Sequence, residues 1–188
     1  MQSELSSEQR DEIEKRLYTV VVAKKGQYRM AHRNFYKNRF FVKSNTFLSI
    51  VFYILALVSG FLELSNIQDV LSSLDLEGDG KTFNRIHSVL ITLTIIVGLI
   101  QSGCKYAQEQ HGYDAKGLMH HSSAVQFRTV EELFRNMLAR KTWDDVELER
   151  ISNLNIAAVQ RAKLIDYDVY ELVRKELEEL EKETDQLP

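Results

Sequence analysis

The sequence predicts an all-α membrane protein: a two-transmembrane helical hairpin with long cytoplasmic helices before and after it. Three observations carry that expectation. Two stretches of nineteen residues, 44–62 and 86–104, contain no Asp, Glu, Lys or Arg. About 20 apolar residues rising 1.5 Å each cross a hydrocarbon core of ~30 Å, so both fit a spanning helix. A buried helix pair in a soluble bundle is the alternative, but such helices usually keep a charged stripe, and neither stretch has one. The 188 residues hold one proline, so long helices can run unbroken. No alternating strand pattern, internal repeat or low-complexity tract is evident. The single Cys104 excludes an intrachain disulfide and with it a disulfide-stapled secreted domain.

Residues 1–43 read as a cytoplasmic basic helix. Ser6 followed by Gln9 has the form of a capping box. Ile13, Leu17, Val20, Tyr28, Ala31 and Phe35 then recur near helical period, so one helix is expected from about Ser7 into the first span. From Lys15 to Lys43 there are nine Lys or Arg and no acid. Arg29, Arg33, Lys37, Arg39 and Lys43, with Lys105 beyond the second span, form a candidate membrane-surface set. Tyr28, Phe35, Tyr36, Phe40 and Phe41 are interleaved with them and suit the headgroup zone. Because the excess of Lys and Arg on the cytoplasmic side already explains this charge, no nucleic acid is expected as partner.

Residues 44–62 are transmembrane helix 1. Residues 63–85 form an acidic extracytoplasmic loop, with Glu63, Asp69, Asp75, Glu77 and Asp79 against Lys81 and Arg85. Asp75 to Gly80 partly imitates a calcium loop, but the twelfth position is Ile86 where a bidentate Glu is needed, so an acidic turn is expected. Residues 86–104 are transmembrane helix 2. The chain is thus expected to be integral to the cell membrane, with both termini cytoplasmic.

Residues 105–141 continue as a cytoplasmic helix with Ala115, Met119, Ser122, Phe127, Val130, Phe134 and Met137 at 3–4 spacing, and Gly112 and Gly117 as candidate bends. Residues 142–188 are acidic C-terminal helices, the first capped by Thr142 with Val146, Ile151, Leu154 and Ala158 on one face. The second, Asp168 to Glu183, carries Leu172, Leu177 and Leu180. With Lys141 this tail holds thirteen acids and seven bases; it either lies against the basic first helix or is a solvated face.

Within the spans, Ser49, Tyr53, Ala56 and Gly60 share one face with Glu63 and are candidates for helix packing. Thr94, Gly98 and Gln101 share a stripe with His87, and Ser88 and Thr92 form a neighbouring one. These five small or polar residues are pore-lining candidates if several copies turn one stripe inward. Close packing and hydrogen bonding between helices explain the same residues. His111, Asp114 and His121, with His120 beside them, are too spread along a helix to close on one zinc, and hydrogen bonding suits them better. There is no HExxH motif, phosphate-cradling glycine loop or nucleophile elbow. No enzyme activity, catalytic residue, metal or cofactor is expected. An intramembrane enzyme would need a reactive group inside a span, and Glu63 and His87, which come nearest to that, are both at the outer edge.

The segment YRMAHRNFYKNRFF, two closely spaced spans, and KYAQEQHGYDAKGLMHHSSAVQFRTVEELFRNML are similar to the SLATT superfamily. The likeness runs from about Ala23 to Leu138 and includes Tyr113, His120, His121, Ala124 and Phe127. The resemblance implies a small two-transmembrane effector linked to nucleotide signalling and microbial defence. Such proteins are thought to form pores or disrupt membranes when partner proteins sense a nucleotide signal. The implied partners are the lipid bilayer, further copies of the chain and a separate nucleotide-sensing protein. Two helices cannot enclose water alone, so about four or more copies are expected. The competing expectation is a membrane-anchored scaffold whose cytoplasmic helices recruit a partner protein.

Overall fold

The computed structural model describes residues 3–63, 80–140 and 142–185. Five helices account for almost all of them: α1 (Ser7–Glu63), α2 (Gly80–His111), α3 (Tyr113–Arg140), α4 (Asp145–Arg161) and α5 (Tyr167–Asp185). The fold is all-helical apart from one two-residue antiparallel pairing of β1 (Ser3–Glu4) with β2 (Thr142–Trp143). The acidic loop between the spans, including its calcium-like segment, lies mostly outside the described residues.

Local chemistry sets several of the helix ends. Ser6 N–H donates to Gln9 Oε1 at 2.9 Å and Gln9 N–H donates to Ser6 Oγ at 3.3 Å, the reciprocal capping box expected at the start of α1. No proline interrupts the following 57 residues. α2 begins at Gly80, ahead of the expected span boundary at Ile86. It ends where Gly112 takes φ +54°, a left-handed conformation that closes helices and favours glycine. Gly117, the other candidate bend, sits inside α3.

The start of α4 departs from expectation. Thr142 is paired in β2 and does not cap the helix. Asp144 does, its carboxylate accepting from Val146 N–H at 3.0 Å and Glu147 N–H at 3.5 Å. Its backbone is extended, as a cap requires. The short strand pairing takes the two residues that precede the cap, a use no alternating pattern could reveal.

Contacts divide the chain into two units. The first joins α1 up to Tyr36 with α3, α4 and α5. Its core gathers Ile13 and Val20 from α1, Phe127, Val130, Phe134 and Met137 from α3, and Ile151 and Ala158 from α4. Val169 and Val173 of α5 are buried as well. The outer positions of the expected faces do not hold: Met119, Val146, Leu154, Leu172 and Leu180 are exposed. On α5 the valines face inward, Leu177 is half-buried, and Asp168 and Glu176 meet arginines of α1. Two glycines permit close approach. A methyl group on Gly26 would lie 2.8 Å from Ile165, and one on Gly117 would lie 2.7 Å from the Phe35 ring.

The second unit is a hairpin of α1 from Lys37 onward with α2 and the closing Gly112. Its pairing is antiparallel. Asn38 and Asn45 meet Gln108, Ser49 meets Gln101, Phe52 meets Gly98, and Glu63 approaches His87.

Candidate functional site

The hairpin seam is built from one stripe on each helix. Asn38, Asn45, Ser49 and Phe52 recur every seven, four and three residues on α1; Gln108, Gln101 and Gly98 do so on α2. Gln101 Nε2 donates to Ser49 Oγ at 2.7 Å, and that hydroxyl donates to the Asn45 carbonyl at 2.8 Å. Asn45 Nδ2 donates to Gln108 Oε1 at 3.0 Å, and Gln108 Nε2 to Asn38 Oδ1 at 3.0 Å. Past this polar end, the Phe52 ring covers Gly98 so closely that a methyl there would sit 3.2 Å from it. At the opposite end His87 Nε2 lies 3.7 Å from Glu63 Oε1.

The outer surface of the hairpin is apolar. Phe47, Ile54, Leu57, Phe61, Ile95 and Leu99 are all exposed, Leu99 by 68%. α1 and α2 are long and apolar enough to cross a membrane, and none of the residues in their most apolar windows is buried. They are therefore not the buried core helices of a soluble bundle formed by this chain alone.

Against this frame the expected site residues separate. Gln101 and Gly98 belong to the seam within one chain. Thr94 is half-buried and its hydroxyl donates to the Leu90 carbonyl at 2.8 Å. Ser88 and Thr92 are exposed, with Thr92 Oγ1 donating to the Ser88 carbonyl at 2.8 Å. Of the four expected packing residues, Ser49 reaches α2. Tyr53 and Gly60 are exposed and Ala56 is half-buried; with Leu57 and Phe61 they line an open groove on α1. Asn38, Asn45 and Gln108 were not among the expected site residues. Their signal was there: amides spaced by seven on each side of a hairpin.

The basic set separates too. Arg29 pairs with Glu176, and Arg33 Nη1 lies 3.2 Å from both Asp166 and Asp168, so part of the acidic tail does lie against the first helix. Lys37, Arg39, Lys43 and Lys105 are exposed. Tyr28 meets His121 edge to face at 5.7 Å and Phe35 packs on Gly117, so these two aromatics serve the bundle, while Tyr36 and Phe40 are exposed.

Inside the bundle, Gln27 is 1% exposed and satisfied at both ends. Its Nε2 donates to the Lys163 carbonyl at 2.7 Å, and its Oε1 accepts from His120 Nδ1 at 2.6 Å. Burial holds the His120 pKa below its ordinary 6.5; the charge of Asp166 opposes that shift and that of Lys163 adds to it. Glu131 accepts from Lys24 and from Arg135. Burial pushes its carboxyl up, but those two partners outweigh burial and hold the pKa below the ordinary 4.5. His111 and Asp114 are exposed, and among the described residues no three His, Cys, Asp or Glu side chains are grouped to hold a metal ion. The chain matches no protein family, no curated protein and no solved structure with which it was compared.

Proposed function

We propose that the chain is an oligomeric two-transmembrane membrane effector that forms a pore or channel, as its resemblance to the SLATT superfamily implies. The observation that carries this reading is the inverted hairpin, with amides and a hydroxyl on the seam and Phe, Ile and Leu side chains outside. Lipid is the solvent for which such a surface is suited. The Lys and Arg excess supports a cell-membrane protein with both termini in the cytoplasm. Four or more copies would surround a path, and a separate nucleotide-sensing protein would supply the trigger through the cytoplasmic helices. With Gln101 and Gly98 engaged inside each hairpin, Ser88 and Thr92 are the better candidates to line that path.

The test is the mass of the detergent-solubilised particle followed by ion flux in liposomes. Discrete particles of four or more copies with measurable flux support the pore. A monomer or dimer across several mild detergents, or liposomes that stay tight, overturns it. One observation favours a second reading, a membrane-anchored scaffold. The hydroxyls of Thr92 and Thr94 are satisfied by their own helix, so neither requires water. A scaffold predicts tight liposomes together with capture of a partner by the bundle.

A further inference from the structure

Within the bundle, the outer side of α1 carries an open groove of about 470 Å³ that neither the pore nor the scaffold reading uses. Arg29, His32 and Arg33 line it from α1, and His121 lines it from α3. Arg29 and Arg33 are one helical turn apart, so their side chains emerge on the same side. Tyr28, Ala31 and Phe35 supply an apolar wall. Two guanidiniums beside an apolar wall are donors suited to an anion with a hydrophobic body, in place of the carboxylates that they now hold.

Both guanidiniums already hold oxyanions. Arg29 pairs with Glu176; Arg33 shares one nitrogen between Asp166 and Asp168, at 3.2 Å to each. The two Arg33 pairs are long for charge-assisted bonds, and all three side chains are at least 44% exposed. Exposed pairs of that kind contribute little and are readily exchanged. A phosphate monoester offers the same donors three oxygens and a second charge, and the planar guanidinium fork can engage two of those oxygens at once. Inorganic phosphate alone would leave the Tyr28 and Phe35 wall uncovered.

We propose that this groove binds a phosphomonoester carrying an apolar or aromatic body, and that Asp166, Asp168 and Glu176 occupy its arginines until the phosphate displaces them. Displacement would free the start of α5 and the connector before it, whose Lys163 carbonyl is tied to Gln27. The ester is either a soluble molecule or the exposed headgroup of phosphatidic acid. The proposal does not rest on the pore; it holds equally for a scaffold.

The experiment uses the full chain in detergent micelles, titrated with phenyl phosphate and followed by phosphorus NMR, with phenol as the control lacking phosphate. Saturable binding of phenyl phosphate is expected. Arg29→Gln with Arg33→Gln should weaken it about tenfold or more, because both forked donors are lost. Arg29→Lys with Arg33→Lys keeps the charge and the fold and should weaken it less. Asp168→Asn with Glu176→Gln should tighten binding about threefold or more, because two of the three competing carboxylates are gone. A parallel arm places the chain in phosphatidylcholine nanodiscs with or without phosphatidic acid, and reads hydrogen exchange along α5. Faster exchange with phosphatidic acid alone identifies the headgroup as source; faster exchange with phenyl phosphate alone identifies a soluble ester. Absence of binding in both arms overturns the proposal. So does binding that is indifferent to the arginine pair, or binding weakened by removing the carboxylates.

Discussion

The bundle and the hairpin bury opposite things. In the bundle, Ile13, Phe134, Met137 and Ile151 lie inside while Arg10, Arg128 and Arg174 make ion pairs at the surface. In the hairpin, Ser49, Asn45, Gln101 and Gln108 meet at the seam while Phe47 and Leu99 face outward. One helix serves both: α1 turns Val20, Met30 and Ala31 inward before Tyr36, and turns Phe47, Ile54 and Leu57 outward after Lys37. Helix propensity cannot explain that reversal, because the helix is continuous. What changes is the surrounding each half is suited to: water drives apolar groups together, whereas lipid leaves polar contacts to hold helices side by side.

The largest expected effect comes from the bundle core. Phe134 is 1% exposed, and Phe134→Ala should cost about 4 kcal/mol, through lost burial and the cavity left behind. Hydrogen exchange along α3 would report it, and exchange within the hairpin should stay as it was. Acceleration in both would mean that the two regions unfold together and that the contrast between them has no energetic counterpart. Next is Gln27→Leu, which strands the His120 Nδ1–H and the Lys163 carbonyl and should cost roughly 3 kcal/mol. The same network sets a pH dependence. The folded protein holds His120 below the 6.5 at which the unfolded chain takes up its proton. The stability of the bundle should therefore be intact above that pH and fall as the pH drops below it, until the folded protein is protonated too. Denaturation measured across this range should lose the slope in His120→Gln. A slope that survives assigns it to another group.

Much of this was legible in the sequence, and unevenly. The capping box at Ser6 and the two uncharged stretches were visible because each depends on a few residues at fixed spacing. The core of α3 from Phe127 to Met137 was visible for the same reason. What escaped depends on partners far along the chain. Thr142 looked like a cap because nothing local shows that Ser3 and Glu4 pair with β2. Leu172 outranks Val169 in apolar size, yet α5 buries the valine and leaves the leucine exposed, a choice that depends on how α5 meets helices far away in the chain. The spacing of Thr94, Gly98 and Gln101 puts them on one helical face, of which Gly98 and Gln101 meet α1. The sequence left open whether that face served packing within the chain or a path between copies, because the spacing is the same for both.

That ambiguity sets the two smaller predictions. Gln101→Leu removes the side-chain bond across the seam to Ser49 and should loosen the hairpin by about 1 kcal/mol, within the range for hydrogen bonds between helices in membranes. Disulfide trapping between cysteines placed across the seam would measure it. An unchanged trapping rate would mean that packing of Phe52 on Gly98 suffices to hold the pair.

Thr92→Val, together with Ser88→Ala, should change hairpin stability by less than about 0.5 kcal/mol, because the Thr92 hydroxyl bonds only to its own helix and both residues are exposed. This smallest effect is the most informative for function. A substitution that leaves the fold untouched removes stability as an explanation for any change in flux. If liposome flux falls or its ion preference shifts in the double variant, the exposed face of α2 lines the path. If flux is unchanged while Gln101→Leu alters it, the seam rather than the outer face must open to admit ions, and the polar contacts inside the hairpin would then be a closed gate.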